Sequence, residues 1–121
     1  MYTHKTIVVF GVSQDSSKYG HKIFTALVRQ GLQVYGIHPK GGEVAGRTLF
    51  TDLKQVPTPV DVAVLVIPPT ALEAAVQQCM EARIPEIWFQ PGARSAQAFE
   101  LATSAGIKAV NGCFMADNGF W

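Results

Sequence analysis

The stretch Val9–Phe24, VFGVSQDSSKYGHKIF, passes from a β-branched run through a small-residue loop into a helical period. Upstream, Thr6–Phe10 (TIVVF) is the continuous apolar strand typical of a parallel sheet covered on both faces. Downstream, Ile23, Phe24, Leu27 and Val28 share one face of a helix running from about Tyr19 to Gln30, and Gly31 marks its stop. Strand, glycine-opened loop and helix together form the unit with which nucleotide-binding α/β folds hold a pyrophosphate. The Gly-x-Gly-x-x-Gly of that unit is absent: after Gly11 the next glycine is Gly20, with Ser13, Ser16 and Ser17 between them.

The same alternation continues outward. Gln33–Ile37 (QVYGI), Val62–Ile67 (VAVLVI), Glu86–Phe89 (EIWF) and Ile107–Val110 read as four further strands. Leu49–Val56 reads as a short helical turn closed by Pro57 and Pro59. Thr70 and Glu73 have the spacing of a capping box, opening a helix whose stripe is Leu72, Ala75, Val76, Cys79 and Met80. Arg94–Ala105 reads as another helix, and Asn111–Trp121 shows no period. Strands alternating with helices imply parallel pairing through right-handed crossovers. The expectation is a single α/β domain over residues 1–121, a Rossmann-like doubly wound parallel five-stranded sheet of order 3-2-1-4-5 in three layers, α/β/α.

Bulk properties narrow the function classes. With 121 residues, 48% hydrophobic and 16% charged, the chain can bury a core without staples. A net charge of +1 leaves no basic surface for nucleic acid or an anionic membrane. Cys79 and Cys113 sit in no Cys-x-x-Cys or Cys/His cluster, which argues against zinc and against a disulfide-built secreted domain. No apolar run reaches the ~18–20 residues of a membrane span, and MYTHKTIVVF is no signal peptide. A cytoplasmic location is expected, with a protein partner or homo-oligomer left open.

In doubly wound sheets, ligands bind outside the carboxyl ends of the strands. Gly11 permits a tight turn and a close approach, and the first-turn amides near Lys18, Tyr19 and Gly20 favour an anion. Ser13 and Ser17 add hydroxyls and Lys18 a charge, while Asp15 must turn away from any phosphate. The alternative is an ordinary strand–helix turn whose serines cap the helix. After the second strand, an NAD-binding domain places an acidic residue. Here stand His38, Pro39 and Lys40, which suits a ribose carrying an extra phosphate, as in NADP or coenzyme A. Ile67, Pro68 and Pro69 can wall an adenine or an aliphatic arm, and Gln90 can bond an amide arm or the neighbouring backbone.

Catalytic groups are not marked. His4, His21 and His38 have no sequence partner that signals a relay. Cys79 falls in a helix stripe, and Cys113 either faces the pocket as a free thiol or is buried. The chain shows no second domain to hold a substrate, which favours a binding module over an enzyme.

Taken together, Gly11-Val12-Ser13, Lys18-Tyr19-Gly20-His21, Pro39-Lys40, GRTLFTDL (Gly46–Leu53), Pro68-Pro69, WFQPG (Trp88–Gly92) and NGCFM (Asn111–Met115) resemble the coenzyme A-binding domain family in its small stand-alone form. That family is similar to the N-terminal domain of the succinyl-CoA synthetase alpha subunit. The resemblance implies a Rossmann-like fold binding coenzyme A. Gly11, Val12, Ser13, Ser17, Lys18, Tyr19 and Gly20 would lie at the phosphates, with His38, Pro39 and Lys40 at the 3′-phosphoadenosine. Ile67, Pro68 and Pro69 would form a wall, and Gln90 would face the arm. His38 departs from the asparagine common in the family. The synthetase's phosphorylatable histidine and second subunit are not recognisable, so its ligase activity is not carried over. The loop position, Lys40 and the missing catalytic domain lead to the expectation of a non-catalytic carrier, sensor or regulatory protein, with no metal and no catalytic set. An NADP-binding oxidoreductase and an interaction subunit with a vestigial pocket are the rival readings.

Overall fold

All five residues of Thr6–Phe10 are buried, and they form strand β1 at the heart of the computed structural model, which describes residues 2–121. After β1 come α1 (Tyr19–Arg29), β2 (Gln33–Ile37), β3 (Glu43–Val44), β4 (Arg47–Thr48) and β5 (Val62–Leu65). The rest is α2 (Leu72–Glu81), β6 (Glu86–Phe89), α3 (Ala96–Ser104), β7 (Lys108–Asn111) and α4 (Phe114–Asp117). Five strands pair in parallel in the order β2-β1-β5-β6-β7, and β3 and β4 make a separate antiparallel hairpin.

Alternation of side chains across the pleat splits the core in two. Val8 and Phe10 of β1 join Ala63, Leu65, Ile87 and Phe89 beneath α2 and α3. Ile7 and Val9 join Val62, Val64 and Trp88 on the other face, beneath Ile23, Phe24 and Leu27 of α1 and Phe114 of α4. The three expected layers are therefore present. The tail without a period also packs back: the Phe120 ring stacks on Phe114 at 5.5 Å, and the Phe120 N–H donates to the Met115 carbonyl at 2.7 Å.

The strand order differs from the expected 3-2-1-4-5. Counting the five sheet strands along the chain, it is 2-1-3-4-5, because β5 pairs directly with β1, from Ile7↔Val62 to Phe10↔Leu65. Every residue of β5 is buried, and such a strand gains most where both edges are hydrogen-bonded. β2, whose Gln33 is exposed and Tyr35 half-buried, takes the outer place. Its free edge is met by Phe50, whose N–H donates to the Gly36 carbonyl and whose carbonyl accepts from the His38 N–H, both at 2.9 Å. The connection from β2 then passes to the α2 face, where Leu53 and Val60 are buried. Chain leaving β1 thus turns to one face and chain leaving the adjacent β5 to the other, so the switch point lies between β1 and β5.

Two local readings also change. Between Leu49 and Val56 only Leu53–Gln55 is helical, as a 3₁₀ turn capped by Asp52 Oδ1. Thr70 does not cap α2: Pro69–Ala71 forms a 3₁₀ turn and Ala71 is the N-cap. The fixed φ of the two prolines favours that tight turn.

The three longer helices end on left-handed residues: Gly31 (φ 77°), Arg83 (φ 57°) and Gly106 (φ 81°). At Arg83 the Ile84 N–H donates to the Cys79 carbonyl at 3.0 Å, closing a Schellman turn in which a side chain occupies the position glycine favours. The Arg83 side chain is exposed. Arg83→Gly is therefore expected to stabilise the domain by about 1 kcal/mol, read as a higher midpoint in urea with an unchanged slope.

Candidate functional site

Gly11 and Gly20 build the site's foundation. Gly11 has φ 95°, and a Cβ there would sit 2.0 Å from the Val66 carbonyl oxygen, where the chain leaves β5. A Cβ on Gly20 would sit 2.1 Å from the Gly11 carbonyl oxygen. The first glycine of a dinucleotide fingerprint permits the tight turn, and the third permits close helix–strand packing. Gly11 and Gly20 perform these two tasks across a longer loop.

That loop is held by its own side chains. Ser13 Oγ accepts from the Asp15 N–H at 3.0 Å, and Asp15 Oδ1 accepts from the Ser17 N–H at 2.9 Å and hydroxyl at 2.7 Å. These two bonds from Ser17, with the nearby Lys18 charge, lower the Asp15 pKa. His21 Nδ1 lies 2.8 Å from the Ser13 carbonyl, a contact in which the ring nitrogen donates. Gln14 Oε1 accepts from the Glu43 N–H at 3.1 Å and so ties the loop to the β3–β4 hairpin. No side chain caps α1, so its first-turn amides remain available to a ligand or water.

Above the switch point opens a cleft of about 430 Å³. Gly11, Ser13, Lys18, Tyr19 and Gly20 line it from the loop and helix start. His38 and Pro39 line it from the end of β2, and Ile67 and Pro68 from the end of β5, with Val66 and Ala71 completing the wall. His38 Nδ1 accepts from the Lys40 N–H at 3.1 Å, which leaves the ring proton on Nε2.

Five of the expected residues lie elsewhere. Val12 is fully buried beneath the loop, its N–H donating to the Ile37 carbonyl at 3.1 Å. Ser17 is exposed and spends its hydroxyl on Asp15. Lys40 is exposed in the turn beyond Pro39, and Pro69 is exposed in the 3₁₀ turn after Pro68. Gln90 is fully buried at the end of β6.

Gln90 organises a group that the sequence did not reveal. Its Oε1 accepts from the Phe114 N–H at 2.7 Å, while its Nε2 donates to the Tyr19 hydroxyl at 3.3 Å and approaches Cys113 Sγ at 3.6 Å. The Tyr19 hydroxyl lies 3.2 Å from Cys113 Sγ, and the Ala116 N–H points at the same sulfur from 3.5 Å. Burial and the contact with Cys113 push Tyr19 up to about 12. Burial also pushes the Cys113 thiol up, but hydrogen bonds from Tyr19, the Ala116 N–H, Gln90 and the Met115 N–H together outweigh it and hold the pKa below its ordinary value. Cys79 has no such partners, and burial raises it to about 12.

Residues 5–119 match the family model described as a CoA binding domain. The chain belongs to the CoA-binding domain family. Over 81 residues, 66% of the chain, it is 31% identical to the alpha subunit of acetate–CoA ligase [ADP-forming] II from Pyrococcus furiosus. Over 79 residues, 65% of the chain, it is 29% identical to acetate–CoA ligase [ADP-forming] I from Archaeoglobus fulgidus. The matched segments span 18% and 12% of those two proteins. A conserved hypothetical protein of Pyrococcus furiosus has the same fold, with a TM-score of 0.86 and 30% identity over 93% of this chain and 98% of that one. Among the described residues of this CoA-binding domain, no cluster of three His, Cys, Asp or Glu side chains could hold a metal. Among the described residues no helix is long and apolar enough to cross a membrane.

The two backbone contacts at Gly11 and Gly20 give a direct test. Gly20→Ala is expected to destabilise the domain by roughly 2–4 kcal/mol, because its Cβ meets rigid backbone. Gly31→Ala, where a Cβ meets nothing, should cost only about 1 kcal/mol for its positive φ. Chemical denaturation of the two variants side by side measures the difference.

Proposed function

We propose that this domain binds coenzyme A or an acyl-CoA at the C-terminal ends of its parallel strands and acts as a carrier, sensor or regulatory protein. The observation that carries the reading is the cleft at the β1/β5 switch point, in a chain of the CoA-binding domain family. Each wall suits one part of that ligand. The amides of the α1 start, with Ser13 and Lys18, offer donors and charge to the pyrophosphate. Ile67 and Pro68 give a rigid apolar face with few donors, suited to adenine or the start of the arm. The end of β2 carries the basic turn of His38, Pro39 and Lys40, and Lys40 is free to reach a phosphate on the ribose.

A ribose 3′-phosphate distinguishes CoA from dephospho-CoA, and its position distinguishes CoA from NADP. Calorimetric titration is expected to show binding in the order CoA, then dephospho-CoA, with NADP weaker than both. Lys40→Ala should weaken CoA by about 1.5–3 kcal/mol, the worth of a charge-assisted contact, and leave dephospho-CoA nearly unchanged. Tight NADP binding without CoA binding would overturn the reading. Equal losses for CoA and dephospho-CoA would move Lys40 away from the 3′-phosphate.

A further inference from the structure

The cleft and the Cys113 group share a residue. Tyr19 lines the cleft, and its hydroxyl reaches Cys113 Sγ at 3.2 Å. The thiol therefore stands one side chain beyond the cleft, across Tyr19, with the basic turn of β2 on the cleft's other side. From Gly11 at β1 to Cys113 past β7 the path crosses β5 and β6, which is three strand spacings or ~14 Å. Between pyrophosphate and thiol, CoA carries pantoate, β-alanine and cysteamine. That arm is about four residue-lengths of chain at ~3.5 Å each, again ~14 Å. An extended arm that starts from phosphates at the α1 start is therefore long enough to reach Cys113.

The sulfur's surroundings differ from those of a buried structural cysteine. Gln90 is a fully buried amide whose Nε2 serves the Tyr19 hydroxyl and Cys113 Sγ and whose Oε1 is fixed by the Phe114 N–H. By accepting from Gln90, the Tyr19 hydroxyl keeps its own proton for the sulfur. Donors converge on Sγ from α1, from the β6 end and from α4. Convergent donors stabilise sulfur as thiolate, which is the attacking form. Cys113 is only half-buried, so a second sulfur can approach it.

We propose that Cys113 is a covalent capture site for CoA in its disulfide form, exchanging with it to give a protein–CoA mixed disulfide. This rests on the CoA reading of the cleft. In the exchange, Cys113 loses its proton to solvent and its thiolate attacks one sulfur of the CoA disulfide. The Cys113–CoA S–S bond forms as the original S–S bond breaks, and the second CoA departs as a thiolate that takes up a proton. One disulfide replaces another, so no further oxidant is needed. The mixed disulfide is released by a thiol reductant, which makes occupancy respond to the redox state of the CoA pool.

Incubation of the reduced full chain with CoA disulfide, followed by intact-mass measurement and peptide mapping, tests this. The expected result is one CoA adduct per chain, mapped to Cys113 and removed by dithiothreitol. It should form at least tenfold faster than the adduct from glutathione disulfide, and excess adenosine 3′,5′-bisphosphate should slow it by occupying the nucleotide end. Cys79→Ser should retain the adduct and Cys113→Ala should lose it. Reduced CoA, titrated into the wild-type chain, separates the two readings. Binding of reduced CoA without an adduct, an adduct on Cys79, or equal rates for the two disulfides overturns capture and leaves the CoA site standing. Absence of any binding by reduced CoA overturns both.

Discussion

Three backbone segments meet at Gly11. The exit of β5 presses on it through the Val66 carbonyl, and the first turn of α1 presses on its own carbonyl through Gly20, each closer than a Cβ would allow. This contact fixes where α1 begins and how close its unpaired amides lie to the β1/β5 crevice. A helix start displaced by the width of a methyl group would withdraw those amides, because helix-terminal electrostatics fade within the first turn. On the α1 side the cleft is therefore bounded by the main chain at Gly11 and Gly20 together with Ser13, Lys18 and Tyr19. It follows from two missing side chains more than from any polar group present.

The longer loop is a consequence of moving the packing glycine to position 20. Eight residues now separate the two glycines, and their backbone groups need partners. Ser13, Asp15 and Ser17 meet that need locally, while Gln14 ties the loop to the β3–β4 hairpin and His21 holds the Ser13 carbonyl. Serines in this loop thus act first as internal partners. Only Ser13 also faces the cleft. This explains how a loop poor in glycine keeps one shape, with one Asp15 carboxylate oxygen spent on Ser17.

Much of this was legible in the sequence because the deciding signals are local. Apolar runs marked β1 and β5, stripes marked the helices, and the strand-end rule gathered Gly11, Lys18, His38 and Pro68, which do converge. What was not legible depends on partners distant in sequence. The place of β5 beside β1 was hinted at by its lack of any polar residue, against Gln33 and Tyr35 in β2, but the edge bridge from Phe50 carries no local mark. The β3–β4 hairpin turns on Ala45 and Gly46, both at positive φ, and alanine is no turn signal. The short α4 depends on Gln90, twenty-four residues earlier, accepting from the Phe114 N–H. Val12 and Ser17 stand in the same loop, but the Val12 N–H is spent on the Ile37 carbonyl and the Ser17 hydroxyl on Asp15.

Gln90 shows why a neutral amide suits its position. It is fully buried, with one end receiving a backbone N–H and the other donating toward a phenol and a sulfur. A carboxylate there would accept from Phe114 equally well, but it would place a buried charge beside the sulfur and disfavour the thiolate. A leucine would leave the Phe114 N–H without a partner in the core, at a cost of about 1–3 kcal/mol, and would free the Tyr19 hydroxyl to turn away. Only a side chain that accepts at one end and donates at the other can fix α4 and present two donors to Cys113 together. The same residue therefore links the packing of the tail to the chemistry at the sheet's edge, and the two Cys environments diverge for that reason. Cys79 is surrounded by aliphatic stripe and held protonated, whereas Cys113 sits where the fold has already gathered donors.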